Sequence, residues 1–121
     1  MNLNDYQKQA NCTLRPDPIM DMLIHAGMGM ATESGEFLDT IKKTKFYGKK
    51  LDHDNLVEEA GDLLWYIAAA AQALGVSLEE IAERNISKLR ARYPAGFTEY
   101  DATNRDLDAE ALEMHGGVGP C

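Results

Sequence analysis

Positive charge, cysteine and long apolar runs are what this chain has little of, and each shortage removes a class of function. Its 121 residues carry 12 lysines and arginines against 20 aspartates and glutamates, a formal net charge of −8. Binding to a polyanion draws much of its free energy from phosphates neutralised by basic side chains, so duplex DNA and long RNA are not expected partners. A small phosphorylated ligand stays open, because metal ions and a few lysines neutralise its charge locally. The two cysteines, Cys12 and Cys121, stand near the ends without the paired spacing of a zinc site or redox motif, which fits a reducing compartment. The unbroken apolar stretch from Leu63 to Ala71 is far too short to span a bilayer. No basic region followed by an apolar run and a cleavage site opens the chain. A cytoplasmic protein without a membrane partner is therefore expected. Nothing repeats in tandem, and no segment alternates as a strand would, which leaves an all-α class.

What is present is helical periodicity. With 45% hydrophobic residues the chain can build one core. We expect a helical domain over residues 1–100, then a short acidic helix and flexible tail over 101–121. The first helix is expected over Leu3 to Cys12, capped by Asn4 or Asp5, and ended by Thr13 to Pro18. Asp17-Pro18 then reads as a cap followed by proline at the first helical position, opening a long helix to about Lys45. In it Leu23, Met30 and Phe37 recur at seven residues, with Ala26 and Glu33 on the companion positions of an a/d-like seam. Gly27, Gly29 and Gly35 offer close backbone approach at a cost in helix propensity, and Gly27 to Gly29 is the place for a kink. A third helix, roughly Asn55 to Leu74 with Asp52 or Asp54 as cap, carries Leu56, Ala60, Leu64, Ile67, Ala71 and Leu74 on a broad apolar face. Being nearly apolar all round after Asp62, it suggests an oligomer interface. Ser77-Leu78-Glu79-Glu80 opens a fourth, about Leu78 to Tyr93, with Leu78, Ile81, Ala82, Asn85, Ile86 and Leu89 inward. Asn104 to Met114 reads as the short acidic helix, and His115 to Cys121 as a loosely attached tail.

The chemistry lies in two carboxylate pairs. Glu33 and Glu36, and later Glu59 and Asp62, stand at i,i+3 and so share a helix face within apolar-periodic sequence. Like charges there repel, and a divalent cation relieves them: carboxylates are hard oxygen donors, and magnesium takes one or two from a protein while water and phosphate oxygens complete its shell. If the turn near Gly48 brings the pairs together, four carboxylates surround one small volume. A bound magnesium acidifies a coordinated water and polarises a phosphoryl group, and a carboxylate not fully engaged can take the proton. Lys88, one turn after Asn85, is the leading counter-charge for a phosphate chain, with Asn85 as a hydrogen-bonding partner. Lys42, Lys43, Lys45 and Lys49 could assist, and Trp65, one turn beyond Asp62, could stack on a base. Each has a plainer reading: solvated charges for the lysines, packing for Trp65, Tyr6 and Gln9, and a structural or surface role for His25 and His53.

Together, Glu33-Ser-Gly-Glu36, Glu59-Ala-Gly-Asp62 with the following Leu-Leu-Trp-Tyr, and Asn85-Ile-Ser-Lys88-Leu-Arg-Ala-Arg-Tyr-Pro resemble the MazG-type members of the all-α nucleoside triphosphate pyrophosphohydrolases. The similarity runs from about Ile24 to Phe97 and is specific because three segments occur in order. It implies a four-helix-bundle-like fold completed by oligomerisation, as homodimer or homotetramer. It also implies Mg2+-dependent hydrolysis, with Mn2+ as a substitute, of nucleoside or deoxynucleoside triphosphates between the α and β phosphorus atoms. The products are the monophosphate and pyrophosphate, in a role such as removal of non-standard nucleotides. By the same resemblance Glu33, Glu36, Glu59 and Asp62 hold the metal, and Asn85 and Lys88 serve the substrate. Thr32 stands where relatives place another acid. The competing expectations are a non-catalytic helical interaction protein, indifferent to magnesium, and a regulatory protein that binds a triphosphate without cleaving it.

Overall fold

Six helices follow one another over the described residues, 1–115, of the computed structural model: α1 (Leu3–Asn11), α2 (Ile19–Tyr47), α3 (His53–Leu74), α4 (Leu78–Arg92), α5 (Glu99–Thr103) and α6 (Leu107–His115). The glycine-rich tail expected after α6 falls, from residue 116 on, outside the described residues. The chain divides into two compact units, Met1–Leu78 and Glu79–Cys121. Among the described residues no single helix is long and apolar enough to cross a membrane.

Local chemistry sets most helix ends in the first unit. Asp52 caps α3 by accepting a hydrogen bond from the Asn55 backbone N–H at 3.0 Å. Gly48 and Gly75 end α2 and α3 in the left-handed region, at φ 65° and 69°, where a side chain would be strained. Two expected starts shift by a residue or more. Asn2, rather than Asn4 or Asp5, caps α1, accepting from Asp5 N–H at 2.8 Å. At α2 the cap position belongs to Pro18, with no side-chain cap bond, and the Asp17 carboxylate pairs instead with the Arg15 guanidinium at 3.0 Å. Helix α2 then runs unbroken through its three glycines.

Helix α3 packs against α2 along its length and against α1. The buried apolar side chains are mostly alanines, Ala10, Ala26, Ala68, Ala69, Ala71 and Ala73, joined by Leu78. Small side chains bring helix axes close, and Gly29 marks the tightest point: a Cβ there would lie 2.2 Å from the Tyr66 ring. The buried stripe of α3 falls on its alanines. Ala60 and Leu74, expected on the covered face, are exposed, and Leu64 and Ile67 are half-buried.

Gln7 is buried and ties α1 to the turn after α3. Its Nε2 donates to the Val76 carbonyl at 3.1 Å, and its Oε1 accepts from Leu78 N–H at 2.7 Å. Gln7→Ala strands both backbone groups and is expected to cost about 1–3 kcal/mol. Urea unfolding checks this, with a lower midpoint at unchanged slope.

In the second unit Thr98 caps the unforeseen α5 by accepting from Asp101 N–H at 3.0 Å. Asp106 accepts from Ala109 N–H at 3.0 Å, so α6 opens at Leu107 rather than Asn104. Buried Glu110 accepts from Arg92 at 2.8 and 3.0 Å and from Arg105 at 3.2 and 2.6 Å. The two guanidinium groups, Arg92 first, hold its carboxyl well below the usual carboxylate range. On α4, Leu78 is buried, whereas Asn85 and Ile86, expected inward, are exposed.

Candidate functional site

Glu33 lies on the α2 seam, seven residues after fully buried Ala26, and that register turns it toward α3. Across from it, Glu59 and Asp62 occupy successive turns of α3. One carboxylate oxygen from each of Glu33, Glu59 and Asp62 lies within 4.8 Å of the other two. Glu33 and Glu59 are half-buried and Asp62 is exposed. Glu36, the fourth acid of the pattern, is exposed one turn further along α2 and outside that trio.

Crowding leaves an electrostatic mark. The Glu33 carboxyl is pushed up, first by burial, then by a hydrogen bond with the Glu59 carboxyl, then by the charges of Asp62, Glu59 and Glu36. Carboxylates this close raise the proton affinity of Glu33, and a cation between them would relieve the same repulsion. Octahedral magnesium sets neighbouring ligand oxygens about 3–4 Å apart, and three carboxylate oxygens within 4.8 Å fit that demand.

One residue of this arrangement escaped the sequence reading. Asn55 donates from Nδ2 to Glu59 Oε1 at 3.1 Å, while its Oδ1 accepts from the Thr40 hydroxyl of α2. Asn55 thus fixes one Glu59 oxygen and links the two helices beside the acidic trio. The available signal was its place four residues before Glu59, on the same face of α3. Tyr6 of α1 also contributes: its phenol is pushed up by burial and by the charge of Asp62.

The remaining candidates are distributed more widely. The Trp65 indole N–H donates to Thr13 Oγ1 at 2.8 Å, and its ring meets Tyr66 edge-on at 5.0 Å, so it anchors the segment after α1. Lys42 and Lys43 pair with Asp39 at 3.4 and 2.7 Å, and Lys45 is exposed near the end of α2. Thr32 turns its hydroxyl onto the Gly29 carbonyl at 3.1 Å. His25 sets its ring against Tyr66 at 5.6 Å, and His53 is exposed at the start of α3. In the second unit α4 carries exposed Asn85 and half-buried Lys88.

Comparison with known proteins gives this geometry a family. Residues 25–97 match the model of the MazG nucleotide pyrophosphohydrolase domain. The "Gene 37 protein" of Mycobacterium phage L5 is 32% identical over 87 residues, covering 69% of this chain and 76% of that relative. No solved structure matches the chain. The matched region holds the α2 and α3 acids and Asn85 and Lys88 of α4 in their order, and the chain belongs to the MazG nucleotide pyrophosphohydrolase family.

Proposed function

We propose that the chain hydrolyses nucleoside or deoxynucleoside triphosphates at the α–β phosphoanhydride bond, with Mg2+ as cofactor, and serves in clearing unwanted nucleotides. The observation that carries this is the meeting of Glu33, Glu59 and Asp62 across the α2 and α3 contact, where burial and the neighbouring carboxyl groups push the Glu33 carboxyl up. These three side chains, with Glu36 one turn away, would hold the metal. When bound, a divalent cation acidifies water and stabilises charge on phosphoryl oxygens. The chain's own residues do the rest. Asn55 would orient Glu59 through its hydrogen bond to one carboxylate oxygen. A carboxylate of the set not fully engaged takes the proton from the attacking water. The water oxygen bonds to the α-phosphorus, the α–β bridging bond breaks, and its electron pair leaves with pyrophosphate. Lys42, Lys43 and Lys45 near the end of α2 would supply counter-charge, and Asn85 and Lys88 are the further substrate residues that the family resemblance implies.

A homodimer or homotetramer belongs to the same proposal. No large side chain is fully buried among the described residues, while Ile19, Met20, Met28, Leu38, Val57 and Leu74 stand more than half exposed. A second copy would cover such positions.

Manganese binding, read by loss of the free-ion paramagnetic signal, tests the site without turnover. Binding is expected in the native chain and strongly weakened in Glu33→Gln. The raised Glu33 pKa means that the folded chain holds its proton more tightly than the unfolded chain. That gain is complete at acid pH and is lost as pH rises through the folded value, after which a cation restores it. At neutral pH, metal at a hundredfold excess over its Kd is therefore expected to stabilise the fold by about 2.7 kcal/mol. A native chain that leaves the manganese signal untouched would sink the metal site and favour an interaction protein.

A further inference from the structure

Beyond the acidic trio, the first unit holds a cavity of about 480 Å³ between the end of α2 and the start of α3, lined by Thr40, Lys43, Lys49, Lys50, Asp52 and Asn55. Its size falls within the roughly 300–1,000 Å³ of small-ligand sites. Its charge runs against that of the chain: five of the seven lysines lie between positions 42 and 50, in a protein of net charge −8. Three of them line this cavity. Asp52, which caps α3 by accepting from Asn55 N–H at 3.0 Å, is the one carboxylate in the lining, against three lysines. Lys43 is paired with Asp39, so the exposed Lys49 and Lys50 carry the positive charge of the lining that is not in an ion pair with Asp39.

The wall facing the acidic trio is one residue thick. Asn55 lines the cavity and at the same time donates to Glu59 at 3.1 Å, and Thr40, hydrogen-bonded to Asn55, lines it too. A ligand held here by its negative end lies next to the proposed point of cleavage. We propose that this cavity is the subsite for the pyrophosphoryl end of the substrate, which becomes the pyrophosphate product, with Lys49 and Lys50 as its principal cationic ligands and Lys43 and the Thr40 hydroxyl beside them. The inference rests on the triphosphate reading above and adds to it where the leaving group sits. Lysine ammonium groups suit that task as compact, rotatable point charges. Since all three lysines are exposed, binding should weaken steeply as salt rises.

The test is calorimetric titration of the full chain with inorganic pyrophosphate in the presence of Mg2+, and separately with nucleoside monophosphate. The native chain is compared with the Lys49→Ala/Lys50→Ala and Lys49→Arg/Lys50→Arg double variants. The alanine pair is expected to weaken pyrophosphate binding at least about tenfold. It should raise KM for the triphosphate by a similar factor, and leave monophosphate binding and the thermal midpoint unchanged. The arginine pair, which keeps both charges, should restore most of the affinity. Pyrophosphate affinity within twofold of native in the alanine pair, or an equal loss for the monophosphate, overturns the subsite while leaving hydrolysis intact. A native chain that binds pyrophosphate through these lysines yet cleaves no triphosphate overturns the proposed activity and the substrate subsite built on it, leaving only an anion site.

Discussion

Glu59→Gln is expected to lower the proposed triphosphate turnover by about 10²–10⁴-fold while the chain keeps its helix content, the range for neutralising a charged group that acts on the reacting atoms. Glutamine has nearly the same volume as glutamate and still accepts at its amide oxygen, so the contact with Asn55 Nδ2 survives. What disappears is the negative charge facing Glu33 and Asp62. Two effects then compete in stability. The repulsion that pushes the Glu33 carboxyl up is relieved, which favours the fold, while metal-linked stabilisation is lost. Without metal the variant is therefore expected to be at least as stable as the native chain. With saturating Mg2+ it is the less stable of the two. Paired kinetics and thermal unfolding, each with and without metal, separate a chemical role from a structural one. Near-native turnover in the variant would remove Glu59 from the reaction.

The second large effect is structural. Gly29→Ala is expected to destabilise the fold by about 1–3 kcal/mol, the range for overpacking a well-filled interior. The new methyl group would sit 2.2 Å from the ring of Tyr66. That ring has little room to retreat, being held edge-on by His25 at 5.6 Å and Trp65 at 5.0 Å. Alanine gains roughly 1 kcal/mol over glycine in helix propensity, which offsets part of the overlap but not most of it. Gly27→Ala is the matched control: nothing lies within 4 Å of its added Cβ, so it should gain stability by up to about 1 kcal/mol. Denaturant unfolding of both variants reads the difference. Equal and positive shifts would show that α2 does not meet Tyr66 as described.

These two positions also mark how far the sequence could be read. Glu33 was legible because a seven-residue repeat assigns it to the seam, whatever it packs against. The stops at Gly48 and Gly75 and the Asp52 cap were legible for a similar reason, since each acts within a turn of its own helix. The kink offered by Gly27 to Gly29 was less so, because a glycine's use depends on what approaches it. Only Gly29 meets a neighbour, while Gly27 and Gly35 face open space. Gln7 and Asn55 show the same limit for polar side chains. Gln7 bonds to residues 69 and 71 positions away, and no local pattern announces such a partner. Asn55 sits at a visible spacing from Glu59, but its bond to Thr40 exists only once α2 lies alongside α3. The alanine core likewise reverses a habit of reading large apolar residues as the buried ones. Helix α3 puts Ala68 and Ala71 inside and leaves Leu74 out, because close approach of α1 and α2 admits only small side chains. At the site, neither acidic pair alone suggested an activity; their order with Asn85 and Lys88 suggested the family, and the match over residues 25–97 spans those positions.

The most direct measurement is product analysis of a panel of nucleoside and deoxynucleoside triphosphates incubated with the full chain in ¹⁸O-labelled water, with Mg2+ and with chelator. The expected result is monophosphate and pyrophosphate in equal amounts, only with metal, and with the label in the monophosphate, as attack at the α-phosphorus requires. Diphosphate with free phosphate, label in pyrophosphate, or no turnover across the panel would contradict it.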